Sequence, residues 1–184
     1  MSLSAHAKSI VVLGDSISAA YGIDVDQGWV SLLQKKLPKH QIFNESISGD
    51  TSAGGLARLD QALTNHHPDL VLLELGANDG LRGLSPAVMK TNLSEIIARI
   101  LKTGAKVLLL GMKIPPNYGK RYVDLFYNIY PELAEQLHIP LVPFILEDVA
   151  LNPELMQLDG LHPNAKAQAI ICEKIAAFVL PLLK

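Results

Sequence analysis

Cysteine occurs once in this chain of 184 residues, at Cys172, so no internal disulfide can staple the fold and the redox compartment is left open. No apolar run approaches the ~20 residues that a membrane-spanning helix needs. Excess charge is missing too: 16 Lys and Arg against 18 Asp and Glu leave a formal −2. That balance offers no electrostatic reason to expect a nucleic acid or an anionic membrane as partner. The phosphate-cradling pattern Gly-x-x-x-x-Gly-Lys-Ser/Thr is absent, as is Gly-x-Gly-x-x-Gly after the first apolar run. With no repeats, low-complexity segments or linker, the chain reads as one domain over 1–184, and 49% hydrophobic residues suffice for its core. Residues 1–8 are expected to lie outside that core, as a disordered tail or an expression remnant. Only residues 9–13 separate Lys8 from the first motif, so no signal peptide is visible.

What is present is an alternation of apolar runs and helical patterns. Residues 10–13, 41–47, 69–75 and 105–110 read as strands, and 140–144, with two prolines, as an edge strand. The clearest helix has Ser85 as N-cap and Pro86 at its first position. Its apolar face is Met89, Leu93, Ile96, Ile97, Ile100 and Leu101, and Gly104 closes it. The last helix follows Pro163 and is expected to bury Ala167, Ile170, Ile171, Ile175, Phe178, Val179 and Leu182. Alternation of this kind implies a mostly parallel sheet covered by helices on both faces.

Four motifs punctuate this pattern: Gly14-Asp15-Ser16-Ile17-Ser18, Ser48-Gly49-Asp50, Gly76-Ala77-Asn78-Asp79 and Asp159-Gly160-Leu161-His162. The first three fall at downstream ends of strand-like runs, which in an open α/β sheet converge on one crevice. Ser16 taken alone would pass for the N-cap of a turn; at a helix N-terminus it would also be placed for a developing negative charge. It needs a base. Of six histidines, His6 is in the tail, and His40, His66, His67 and His138 stand beside prolines or at helix ends, where surface positions are expected. His162 differs, because Asp159 three residues earlier can orient one ring nitrogen while the other takes a proton from Ser16. Gly49 N–H, Asn78 and the Ser16 N–H complete the parts list for acyl transfer as oxyanion donors. Gly49-Asp50 and Asn78-Asp79 are ordinary turn chemistry one at a time; their coincidence with Ser16 and His162 is not.

These residues resemble the SGNH (GDSL) hydrolase family. The stretches Ile47-Ser48-Gly49-Asp50-Thr51-Ser52, Glu74-Leu75-Gly76-Ala77-Asn78-Asp79 and Asn117-Tyr118-Gly119-Lys120-Arg121-Tyr122 are similar to its multifunctional bacterial esterases, which act on thioesters, aryl esters and lysophospholipids. The resemblance runs from Ile10 to the last helix, with Ile17 where the family motif often has Leu. It implies a five-stranded, flavodoxin-like three-layer α/β/α domain, a small acyl ester or thioester as substrate, and no metal or cofactor. It carries over Ser16 as nucleophile, Asp159 and His162 as its partners, and Ser16, Gly49 and Asn78 as oxyanion hole. Members of the subgroup are commonly exported, which implies a periplasmic or secreted location; the visible N-terminus leaves the cytoplasm open. Ser-Asp-His order is shared with α/β-hydrolases, but their Gly-x-Ser-x-Gly elbow is missing, so a different fold is expected.

For substrate binding, Leu81 and Leu84 could line an acyl groove, with Gly80 and Gly83 permitting movement, and Ile114 and Pro115 could form a second rim. Glycan deacetylation, known in the wider family, is the alternative reading. A metal-dependent phosphohydrolase using Asp15, Asp50, Asp79, Asp159 and His162 is a rival from another class, short of the further histidines a two-metal site would want.

Overall fold

The computed structural model describes residues 6–184. Five strands, β1 (Ser9–Gly14), β2 (Gln41–Asn44), β3 (Leu70–Glu74), β4 (Lys106–Leu110) and β5 (Leu141–Val142), form one sheet in the order β2-β1-β3-β4-β5. Every pairing is parallel, in the strand order of flavodoxin-like folds. Six helices accompany it: α1 (Trp29–Lys36), α2 (Ser52–His66), α3 (Ala77–Leu81), α4 (Pro86–Lys102), α5 (Lys120–Leu137) and α6 (Gln168–Leu182). Helices α1 and α6 pack together on one side, whereas α2 packs on α4 and α4 on α5 on the other, giving three layers.

The sheet centre is apolar because it is covered twice. Residues 70–73 of β3 are four consecutive apolar side chains, all fully buried. Each such side chain contributes about 1.5–3 kcal/mol relative to exposure. Helix α4 buries Met89, Leu93, Ile96, Ile97 and Ile100 as the periodicity implies, with Pro86 at its start and Gly104 at φ +89 beyond its end. Ser85 makes no side-chain cap, and Leu101 is exposed.

The local differences from the sequence reading have physical causes. Strand β2 stops at Asn44 instead of residue 47, and the exposed Asn44 side chain donates to Ser18 O at 2.9 Å. The irregular chain beyond it still runs along β1, with Ile47 N–H donating to Gly14 O. β5 shrinks to two residues at the sheet edge between its prolines. In α6, Ile170 and Phe178 face outward and Leu182 is half-buried, while Ile171, Ile175 and Val179, with Ala167 just before the helix, are buried. Residues 1–5 of the expected tail lie outside the described residues. Lys8 is fixed, its N–H on His40 Nδ1 and its Nζ on Asp69, so the tail does not extend to it.

Sheet topology decides where a site can form. From β1 the chain steps to β2 on one side; from β3 it proceeds to β4 on the other. The carboxyl ends of β1 and β3 therefore flank the point where the winding reverses, which leaves a crevice.

Candidate active site

Ser16 lies immediately beyond β1 in that crevice and is 9% exposed. No α-helix begins there, contrary to the sequence expectation. Residues 15–21 form a turn closed by Ala19 N–H on Asp15 O and Tyr21 N–H on Ser16 O, and α1 starts only at Trp29. Asp15, not Ser16, caps this turn: its Oδ1 accepts the Ile17 N–H at 3.0 Å. Ala20 sits at φ +60, a strained conformation for a residue with a Cβ, and the turn is held by its surroundings. The Ser16 N–H has no acceptor among the described residues.

Gly49 follows β2 at φ +82, where a side chain would strain the backbone. Its carbonyl accepts Arg82 Nη2 at 2.6 Å, and its N–H also finds no acceptor among the described residues. The loop is pinned from below by Arg58 of α2, which the sequence reading did not single out. The Arg58 guanidinium donates from Nε to Asp50 Oδ2 at 2.7 Å, from Nη2 to Gly14 O at 3.2 Å, and from Nη1 to Glu45 O. One side chain thus ties the end of β1 to the loop after β2. Its signal was a basic residue on a helix that starts where a glycine loop ends.

Asn78 is the second residue of α3, which opens on Gly76 at φ +116. A Cβ on Gly76 would come within 2.5 Å of the Tyr130 hydroxyl, so glycine is needed for space as well as for conformation. Asn78 Nδ2 donates to Asp50 O at 2.8 Å and to Asp15 Oδ2 at 3.1 Å, which turns the amide nitrogen toward the Ser16 turn. Asp79 points away. It is buried and accepts both the N–H (2.8 Å) and the Oγ–H (2.5 Å) of Ser52, seating the N-terminus of α2.

Asp159 and His162 arrive on the long segment after β5, at the tip of a loop closed by the Met156–Pro163 bridge. Asp159 Oδ1 accepts the N–H of Leu161 (2.9 Å) and of His162 (3.0 Å), a turn that Gly160 completes at φ +66. Asp159 Oδ2 meets His162 Nδ1 at 2.6 Å, and His162 Nε2 meets Ser16 Oγ at 2.9 Å. Burial pushes the Asp159 carboxyl up, but its two backbone N–H bonds and the imidazole outweigh it and hold it at about 2. Two contacts absent from the motif reading hold this loop over Ser16. Gln157 Nε2 donates to Tyr21 O (2.7 Å) and Pro163 O (3.1 Å), and the Tyr21 ring lies 4.6 Å from the imidazole, centroid to centroid.

The remaining sequence candidates divide. Leu81 is half-buried and Leu84 exposed, beside Tyr118 and Tyr122, whose hydroxyls donate to the carbonyls of Leu81 and Leu84. Ile114 is 5% exposed and packs where a Gly80 Cβ would stand, 2.7 Å away, so it backs α3 and is not a groove wall. Gly80 is accordingly a packing glycine inside α3 and not a hinge. Pro115, half-buried, opens the short turn at Pro116–Tyr118. His66 is not a surface residue: it stacks on Phe43 with ring centroids 4.0 Å apart and meets Glu45 Oε1 at 2.5 Å. The acids a metal would need are otherwise engaged, Asp50 with Arg58, Asp79 with Ser52 and Asp159 with His162. Among the described residues no three His, Cys, Asp or Glu converge on one point.

A serine hydroxyl, an oriented imidazole and three N–H donors at one sheet edge can activate an oxygen nucleophile and hold the oxyanion its attack creates. Known proteins share this arrangement of chain. The chain is 52% identical over 174 residues to an arylesterase of Vibrio mimicus, covering 92% of this chain and 87% of the relative. It is 44% identical over 180 residues to a thioesterase 1/protease 1/lysophospholipase L1 of Escherichia coli (strain K12), covering 97% and 86%. The crystal structure of TesA superposes with a TM-score of 0.91 at 50% identity, over 94% of this chain and 98% of that one. With residues 12–170 matching the GDSL-like Lipase/Acylhydrolase family as well, this chain belongs to that family of ester hydrolases.

Proposed function

We propose that this chain is a serine esterase that hydrolyses small carboxylic esters and thioesters through an acyl-enzyme on Ser16. The observation that carries the assignment of roles is the continuous hydrogen-bonded line from Asp159 through His162 to Ser16 Oγ, at 2.6 and 2.9 Å, between residues 146 apart in sequence. Ser16 Oγ attacks the acyl carbonyl as His162 Nε2 takes its proton, and the Asp159 carboxylate stabilises the imidazolium. The tetrahedral oxyanion lies among the N–H groups of Ser16 and Gly49 and the Asn78 amide. His162 then returns the proton to the departing alcohol or thiol. Water cleaves the acyl-enzyme by the same route in reverse.

Substrate breadth follows from the open geometry. The leucines nearest the motif, Leu81 and Leu84, are half-buried and exposed, so an acyl chain would lie along a surface rim. Each methylene covered there favours binding by about 0.8 kcal/mol at most. The names of the relatives, arylesterase and thioesterase 1/lysophospholipase L1, support aryl esters, acyl thioesters and lysophospholipids as classes to test. A periplasmic or secreted location belongs to the same proposal and rests on the family resemblance; cell fractionation reads it.

Labelling with an organophosphonate, followed by intact mass and peptide mapping, tests the nucleophile. One adduct on Ser16, with no adduct and no p-nitrophenyl ester turnover in folded Ser16→Ala, is the expected result. An adduct elsewhere, or substantial turnover in that variant, would overturn the covalent route.

A further inference from the structure

Beneath the crevice two acids lie buried side by side. Glu74 ends β3 and is fully buried; Asp15 follows β1 and is 1% exposed. The parallel register sets Gly14 beside Glu74, and a Cβ on Gly14 would stand 2.8 Å from Glu74 Oε2, so glycine lets the carboxyl group close against β1. Asp15 N–H (3.2 Å) and Ser18 Oγ–H (2.7 Å) donate to Glu74 Oε2, while Glu74 Oε1 has no partner among the described residues. Asp15 is served differently. Its Oδ1 accepts the Ile17 N–H and its Oδ2 the Asn78 amide, so one carboxyl group joins the nucleophile turn to an oxyanion donor.

We propose that Asp15 and Glu74 share a single negative charge, that Glu74 keeps the proton, and that the Asp15 carboxylate is the positioning residue for the Asn78 amide. The inference rests on the oxyanion role given to Asn78. Two carboxyl groups buried this deeply and this close do not both ionise, since burial disfavours each charge and each charge disfavours the other. Asp15 has two N–H donors for its charge; Glu74 has an unpartnered oxygen on which a proton can sit. Burial lifts Asp15 to about 6 against the Ile17 N–H bond and the neighbouring Glu74 carboxyl, and burial with the Asp15 charge lifts Glu74 well above the carboxylate range.

The other groups facing the pair leave this order in place. His162 favours the charge on Asp15 and Asp50 opposes it. Asp50 is paired with Arg58, which also donates to Gly14 O. The Tyr130 hydroxyl, donating to Leu75 O at 3.0 Å, is pushed up by burial and then by Glu74, Asp15 and Asp79, so it stays neutral.

The consequence for chemistry is orientation. An ionised carboxylate only accepts hydrogen bonds, so it selects the amide rotamer that presents the Asn78 nitrogen and rejects the one that presents its oxygen. As the oxyanion forms, it can draw on the longer of the two amide bonds, 3.1 Å to Asp15 against 2.8 Å to Asp50 O. A second charge on Glu74 would repel that oxyanion through a poorly screening interior. Keeping Glu74 neutral prevents this.

Asp15→Asn and Glu74→Gln separate the two members. Asp15→Asn should lower kcat by up to about 10²-fold with little change in KM, because the amide nitrogen keeps only the Asp50 carbonyl as an obligate acceptor and loses the charged one. Glu74→Gln has the shape of the protonated acid and should keep kcat within roughly threefold, the effect of one altered hydrogen bond. Its melting temperature relative to the parent should rise steadily as pH increases above about 4.3, since only the parent must hold a proton its unfolded chain releases. The infrared band of a protonated carboxylic acid should be present near neutral pH and vanish in Glu74→Gln. Melting and infrared are read in a Ser16→Ala background, so they stand apart from the assignment of the nucleophile and decide the matter even if Asp15→Asn does not fold. A pH-independent melting difference, a missing infrared band, or parental kcat in folded Asp15→Asn would overturn the proposal.

Discussion

The two halves of the site are built in opposite ways. Ser16, Gly49 and Asn78 stand on a buried polar layer at the ends of β1, β2 and β3, in which Asp15, Ser18, Ser52, Glu74 and Asp79 are all 3% exposed or less. Asp159 and His162 hang on a loop with almost no core of its own, flanked by exposed Leu158 and Leu161. In the first half the sheet register sets geometry, and polar groups are tied across elements far apart in sequence. In the second, geometry comes from hydrogen bonds within six residues, and Gln157, the Tyr21 ring and the His162–Ser16 contact hold the loop to the Ser16 turn. In the proposed mechanism the donors meet charge that exists only in the transition state, which rewards rigidity. In the same proposal the imidazole accepts, holds and returns a proton, for which a locally braced loop suffices.

Removing the base should have the largest effect. His162→Ala is expected to lower kcat by about 10⁴–10⁶-fold with the fold intact. His66→Ala should lose stability, because its ring stacks on Phe43 and meets Glu45, yet keep its turnover per folded molecule. Steady-state kinetics and thermal melts on the same preparations check both; loss of turnover in His66→Ala would mean that the wrong histidine carries the reaction.

Asn78→Ala attacks the rigid half directly. It should reduce kcat by about 10²–10³-fold, with KM far less affected, because the amide favours the tetrahedral oxygen over the ground-state carbonyl. A variant with near-parental kcat would reduce Asn78 to a turn residue.

Arg58→Ala tests whether the rigid half depends on its cross-element tie. The guanidinium contacts Asp50, Glu45 and Gly14 and is largely buried. Its removal should cost roughly 1.5–3 kcal/mol of stability, the scale of a charged hydrogen bond, and lower kcat through the displaced Gly49 loop. Denaturant unfolding and kinetics read the two effects separately, and unaffected kcat in a destabilised variant would confine Arg58 to stability.

The smallest effect belongs to the exposed loop and appears in acid. Asp159 is held at about 2 in the folded chain against an ordinary 3.8, so the unfolded chain binds its proton first. Its contribution is therefore complete above 3.8 and is lost as pH falls from there toward 2. Asp159→Asn should flatten the stability profile in that window and nowhere else. Asp15, raised to about 6, has the opposite sign: its contribution is present below 3.8 and is lost as pH rises through 6. A melting series from pH 2 to about 8 resolves the two windows.

The chain alone determined a good deal. Two near-continuous apolar runs, at residues 69–75 and 105–110, with a short one at 10–13 and a less pure one at 41–47, interleaved with helical periodicity, imply a doubly covered sheet. Residues 159–162 were legible because the Asp159–His162 contact is made within one turn, where spacing and Gly160 decide geometry. Ser16, Gly49 and Asn78 could be named since each ends an apolar run. Tertiary structure decided the rest, because the deciding contacts join residues that no local window contains. Sheet order brings Gly14 beside Glu74, and that register buries two acids together; the sequence shows only one Glu in an otherwise apolar strand. Packing turned Ile114 and Gly80 into core and made Asp15, not Ser16, the cap of the first turn. Long-range packing buries Asp15 and Glu74 together and brings Asp15 and the Asp50 carbonyl to the Asn78 amide nitrogen.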